Sequence, residues 1–88
     1  NLRCSEGINC LGECYLYGKG ADKNLELAKQ WLLKASKMGN KISMKHLGDM
    51  YLHGTGVEKN QETALKYYLQ SAEKGYEESI EIVQKLSQ

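Results

Sequence analysis

Residues 11–39, LGECYLYGKGADKNLELAKQWLLKASKMG, return 36 residues later as LGDMYLHGTGVEKNQETALKYYLQSAEKG, residues 47–75, with no gap between the two registers. Leu11/Leu47, Gly12/Gly48, Tyr15/Tyr51, Leu16/Leu52, Gly18/Gly54, Gly20/Gly56, Lys23/Lys59 and Asn24/Asn60 are identical, and so are Glu26/Glu62, Ala28/Ala64, Leu33/Leu69 and Gly39/Gly75. A fixed period of this length means a repeat array, in which one supersecondary unit buries its apolar face only by stacking on the next. The chain is therefore expected to be an α-solenoid before any single residue is interpreted.

Within each unit the apolar spacing is helical. Ile8, Leu11, Cys14 and Tyr15 predict a first helix over 5–17, ended by the Gly18-Lys19-Gly20 turn. Asn24 is placed to cap a second helix reaching about residue 38, with Glu26 in its first turn, Lys34 and Lys37 in its last, and Leu25, Ala28, Trp31, Leu32 and Ala35 inward. The second unit copies this: a helix over 41–53 capped by Asn40, with Met44, Leu47, Met50 and Tyr51 inward, then a helix capped by Asn60, with Ala64, Leu65, Tyr67, Tyr68 and Ala72 inward. The connections are short and proline is absent, so each pair is expected to be antiparallel. A fifth helix, from Glu77 to about Leu86, starts a third unit, with Ile80 and Val83 matching Met44 and Leu47. Gln84 stands where the complete units have Gly12 and Gly48, whose bare backbones should let paired helices approach closely. The reading is one domain over 1–88: repeat 1 at 5–39, repeat 2 at 40–75, and a capping helix at 76–88 with a genuine C-terminal end.

Composition narrows the function classes. Hydrophobic residues are 41%, charged residues 26% and the net charge +1, so the chain reads as a globular domain with no long-range field favouring nucleic acid or an anionic membrane. No apolar run is long enough to span a bilayer. The chain opens on Asn1, which suggests a processed product or a segment of a longer one. No helix precedes the first, so one side of it lacks its usual neighbour. Residues 1–4 fold over that edge, or another chain or an upstream repeat meets it.

The pattern L-G-x-x-Y-x-x-G-x-G, followed by Asn, Ala, an aromatic residue and a closing Gly, resembles the Sel1-like repeat. That family is related to the tetratricopeptide repeat, whose unit is about 34 residues. Two full units and half of a third fit. The resemblance implies a right-handed solenoid of five helices, all α, whose concave face holds a partner protein in the manner of an adaptor or scaffold. A few small bacterial proteins of this kind neutralise toxins, so an immunity-type inhibitor is the alternative. Gly7, Ser43 and Ser79 replace the family's usual alanine midway along the first half of each unit's first helix. The disulfides of its cysteine-rich branch do not carry over, because the second helix of each unit lacks cysteine, and neither do claims of drug binding or hydrolysis.

Packing accounts for the residues that could suggest catalysis or metal binding. Cys10 occupies the repeat position of His46, yet stacked helices hold equivalent side chains about 8–10 Å apart, too far for a nucleophile–base pair. Cys10, Cys14 and His46 fall short of the four converging ligands of structural zinc, and Cys14 aligns with the inward Met50. Cys4 adds an odd third thiol. No cofactor motif is present, and the chain reads as a non-enzyme. The candidate partner surface is the stripe Asn9, Glu13, Leu16 and Tyr17, repeated as Lys45, Asp49, Leu52 and His53. Glu81 extends it, with Ser5, Lys41 and Glu77. The expected partner is a protein or peptide rather than nucleic acid, with self-association or upstream repeats possible at the open N-terminal edge.

Overall fold

A computed structural model describes residues 2–20 and 22–86, with side chains from Ser5 onward. It contains α1 (Leu2–Tyr17), α2 (Leu25–Lys37), α3 (Lys41–His53), α4 (Gln61–Glu73) and α5 (Glu77–Leu86), and no strand among the described residues. Helices pack in sequence order, α1 on α2, α2 on α3, α3 on α4 and α4 on α5, as a solenoid requires. The extents, 38 × 29 × 17 Å, have a short dimension about two helices deep.

The helix ends follow the local chemistry. Asn24 and Asn60 adopt extended backbone, and their side chains accept from the N–H groups of Leu27 and Thr63 at 3.1 Å. Asn40 accepts from both Ile42 and Ser43. Such caps satisfy amides that have no partner within the helix. The same asparagines tie the turns down, because the N–H groups of Asn24 and Asn60 donate to the carbonyls of Tyr15 and Tyr51 at 2.9 Å. Gly54 ends α3 in the left-handed region (φ 70°), where a side chain would be strained.

The glycine shared by α1 and α3 has the expected role. A Cβ at Gly12 would lie 2.8 Å from Leu32 Cδ2, and one at Gly48 would lie 2.8 Å from Tyr68 Cε1. Each hairpin therefore closes on the bare backbone of its first helix. Leu16, Ala28, Leu32, Leu47 and Met50 form a core spanning both units. Full burial of residues such as Leu32 and Leu47 contributes roughly 1.5–3 kcal/mol each.

Several inward assignments need correction. Leu11 is 43% exposed although its counterpart Leu47 is fully buried. Leu47 packs against Ala28 and Leu32 of α2, whereas α1 has no such helix on that side among the described residues. Ile80 is 37% exposed where Met44 is 5%, since α3 packs on both α2 and α4 and α5 packs on α4 alone. Cys14 is half-buried rather than enclosed like Met50. Residues 2–4 continue α1 instead of folding across it; Asn1 and the side chains of 2–4 lie outside the described residues.

Candidate functional site

The first helices of the successive units, α1 and α3, are joined by a polar ladder. Asn40 Nδ2 lies 3.5 Å from Ser5 Oγ, and Ser43 Oγ donates to Asn9 Oδ1 at 2.7 Å. Asn9 Nδ2 donates in turn to Glu13 Oε1 at 3.1 Å, and the same oxygen accepts from His46 Nε2 at 2.9 Å. A carboxylate only accepts, so Nε2 carries a proton and donates it to Glu13. The ring Nδ1 is buried and unpartnered among the described residues. Tyr17 meets the other side of the imidazole edge-on, with ring centroids 6.2 Å apart.

This ladder changes the position of three stripe residues. Ser5 and Asn9 are buried between α1 and α3, and Leu16 belongs to the core. Four-residue spacing puts side chains on one helical face, but that face turns partly toward the neighbouring helix rather than wholly toward solvent. Glu13 stays partly exposed while engaged with Asn9 and His46. Tyr17, His53 and Glu81 are exposed, and Leu52 is half-buried.

The equivalent carboxylate in the second unit is held differently. Asp49 Oδ1 accepts from the Tyr68 hydroxyl, and Oδ2 pairs with Lys45 Nζ at 2.8 Å. Burial and the Asp49 carboxylate push the Tyr68 phenol far above its usual pKa. Burial alone would lower the Lys45 pKa, but the hydrogen bond and charge of Asp49, aided by Glu78, outweigh it and hold the ammonium above its ordinary value. Lys45 also lies 4.0 Å from Glu78 of α5, so the polar link continues to the fifth helix.

Between the C-terminal ends of α1 and α3 lies a cleft of about 210 Å³. Leu16 and Met50 form its apolar floor, with His46 and Asp49 beside them. Tyr17, Lys23, His53 and Thr55 stand around its mouth. Lys23 and Thr55 lie in inter-helix turns, outside the helical spacing that marks the stripe. The repetition of Lys23 as Lys59 is the sequence signal that points to the first of them. A larger depression, about 390 Å³, lies at the start of α3, lined by Ser5, Glu6, Lys41 and Lys74 among others. At that helix end the Ile42 and Ser43 amides are already capped by Asn40.

Among the described residues no serine or cysteine is hydrogen-bonded to His46. Its Nε2 is occupied by Glu13 rather than Cys10, which is exposed on α1, and the Ser43 hydroxyl is turned to Asn9. No group of three or more His, Cys, Asp or Glu converges as a metal site among the described residues. No helix there is long and apolar enough to cross a membrane.

These features define an α-hairpin repeat protein of the tetratricopeptide-like class. Residues 5–40 and 42–76 each match the family model of the Sel1 repeat, and the chain belongs to that family. It is similar to a Sel1 repeat protein from Oxalobacter formigenes, with 35% identity and a TM-score of 0.91 over 93% of this chain; it spans about a third, 34%, of that protein. It is also similar to c5321, a protective antigen of uropathogenic Escherichia coli strains displaying an SLR fold. That match has 28% identity and a TM-score of 0.82, covering 85% of this chain and 16% of the other. No curated protein sequence matches. The Sel1-repeat fold is typical of protein–protein interaction modules, and the family is generally a non-catalytic scaffold.

Proposed function

We propose that this chain is a non-enzymatic interaction module that holds a partner polypeptide along the face formed by α1, α3 and α5. The observation that carries this reading is the cleft between α1 and α3, with a buried apolar floor and an exposed aromatic and polar mouth. A side chain inserted there would meet surface already ordered by the polar ladder, so little side-chain freedom would be lost on binding. Glu13 and Asp49 act mainly by holding neighbouring helices, while Tyr17, Leu52, His53 and Glu81 supply contact surface.

A site-specific photo-crosslinker separates the two faces of the solenoid. Placed at Tyr17 or His53 it is expected to capture a polypeptide partner. Placed at Gln30 or Lys66, both exposed on second helices, it should not. Capture from Gln30 and Lys66 alone would move the binding surface to the opposite face. A substrate turned over by the purified chain and lost on one substitution would overturn the non-enzymatic reading.

A further inference from the structure

The charges around the cleft are unequal in availability. Asp49 is the one carboxylate in the lining, and both its oxygens are engaged, one by the Tyr68 hydroxyl and one by the Lys45 ammonium. The nearby Glu13 carboxylate holds His46 and Asn9 through Oε1. The donors at the mouth are free by contrast. Lys23, His53 and Thr55 are engaged in no side-chain hydrogen bond or ion pair among the described residues. Lys19 adds a second ammonium beside the site, 5.7 Å from the centre of the Tyr17 ring. The cleft thus combines a neutralised acid, uncommitted cationic and hydroxyl donors, and a floor made by Leu16 and Met50.

We infer that the cleft selects an acidic segment of a partner polypeptide, in which an apolar side chain flanked by Asp or Glu enters between α1 and α3. The inference rests on the reading of the chain as a polypeptide-binding module and names the chemistry of the bound segment. The apolar side chain packs against the exposed Tyr17 ring above the buried Leu16 and Met50, and its flanking carboxylates reach Lys23, Lys19 and the Thr55 hydroxyl. A basic segment meets Lys19 and Lys23 at the mouth, while the one carboxylate of the lining, Asp49, is already paired with Tyr68 and Lys45. Like-charge contacts of this kind discriminate between partners more than they raise affinity.

The test is selection of a displayed random decapeptide library on the immobilised 88-residue chain at low salt. Enriched peptides are expected to carry Asp or Glu within two positions of Leu, Ile or Met, and their capture should weaken as salt is raised. Lys23→Glu combined with His53→Gln should reduce binding of a selected peptide by about tenfold, while Lys66→Glu on α4 leaves it unchanged. All three residues are exposed; should the first combination disturb the helical circular dichroism, Lys23→Gln reads the same loss without reversing a charge. Enriched peptides without acidic residues, or binding insensitive to the Lys23 and His53 changes, would overturn the acidic-segment inference and leave polypeptide binding standing. Failure to enrich any peptide above blank support would count against both.

Discussion

The Tyr68 hydroxyl donates to the carboxylate of Asp49 across the second hairpin, and the ring reaches it over the bare backbone of Gly48. The first hairpin places Leu32 over Gly12 at the same position, with no hydroxyl to offer Glu13. Glu13 consequently reaches sideways to His46 of α3, whereas Asp49 turns back to its own hairpin and to Lys45. One repeat position, occupied by an acid in both units, thus joins two hairpins in one case and closes a single hairpin in the other.

Replacing Tyr68 with Phe keeps the ring over Gly48 and removes the donor. The variant is expected to lose about 1–2 kcal/mol of stability, read as a lower urea midpoint at unchanged slope. The pH dependence has a definite sign. Tyr68 has a folded pKa raised by burial and by Asp49, so its contribution is complete below the ordinary tyrosine value of about 10 and is lost as pH rises toward the folded value. The stability difference between the native chain and Tyr68→Phe should therefore be constant near neutrality and shrink above pH about 10. A difference that grows with alkalinity would contradict the assignment.

Two glycine substitutions should move stability in opposite directions. Gly48→Ala places a methyl group 2.8 Å from the Tyr68 ring, in the interior of a packed hairpin, and should cost about 1–3 kcal/mol. Gly7→Ala adds its methyl group in open space on α1 and should stabilise by up to about 1 kcal/mol through helix propensity. Thermal unfolding of the two variants side by side checks both.

Ser43→Ala restores the small apolar residue usual at this position in the family, yet it should destabilise this chain. It leaves the buried Asn9 Oδ1 without its donor, at a cost of about 1–3 kcal/mol. The double variant Asn9→Ala/Ser43→Ala should lose less than the sum of the single changes, because the two side chains answer one another. Strict additivity in chemical denaturation would remove the bond from the account.

The thiols should react in order. Cys10 is exposed and Cys14 half-buried on the same helix, so native alkylation followed by peptide mapping is expected to modify Cys10 before Cys14. Equal native rates, with both rising on denaturation, would mean that α1 is rotated so that Cys14 faces solvent.

The repeat itself made five helices, their caps and the close approach at Gly12 and Gly48 readable from the chain alone. Those features depend on local rules: apolar spacing, asparagine before a helix, and glycine where no side chain fits. The family pattern is carried by the same residues, so it too could be read in one dimension. The neighbours of the stripe were decided by tertiary structure. Asn9 and Glu13 are one turn apart and read alike as groove residues, but stacking brings Ser43 against the first and His46 against the second, burying Asn9 and leaving Glu13 partly exposed. Leu11 and Leu47 are the same residue in the same register, and only the presence of α2 beside one of them makes it core. Lys23 and Thr55 lie in different turns, 32 positions apart, and become partners in one cleft when the second hairpin stacks on the first. Helical periodicity specifies the direction in which a side chain leaves its own helix; the neighbouring helix determines what it meets there.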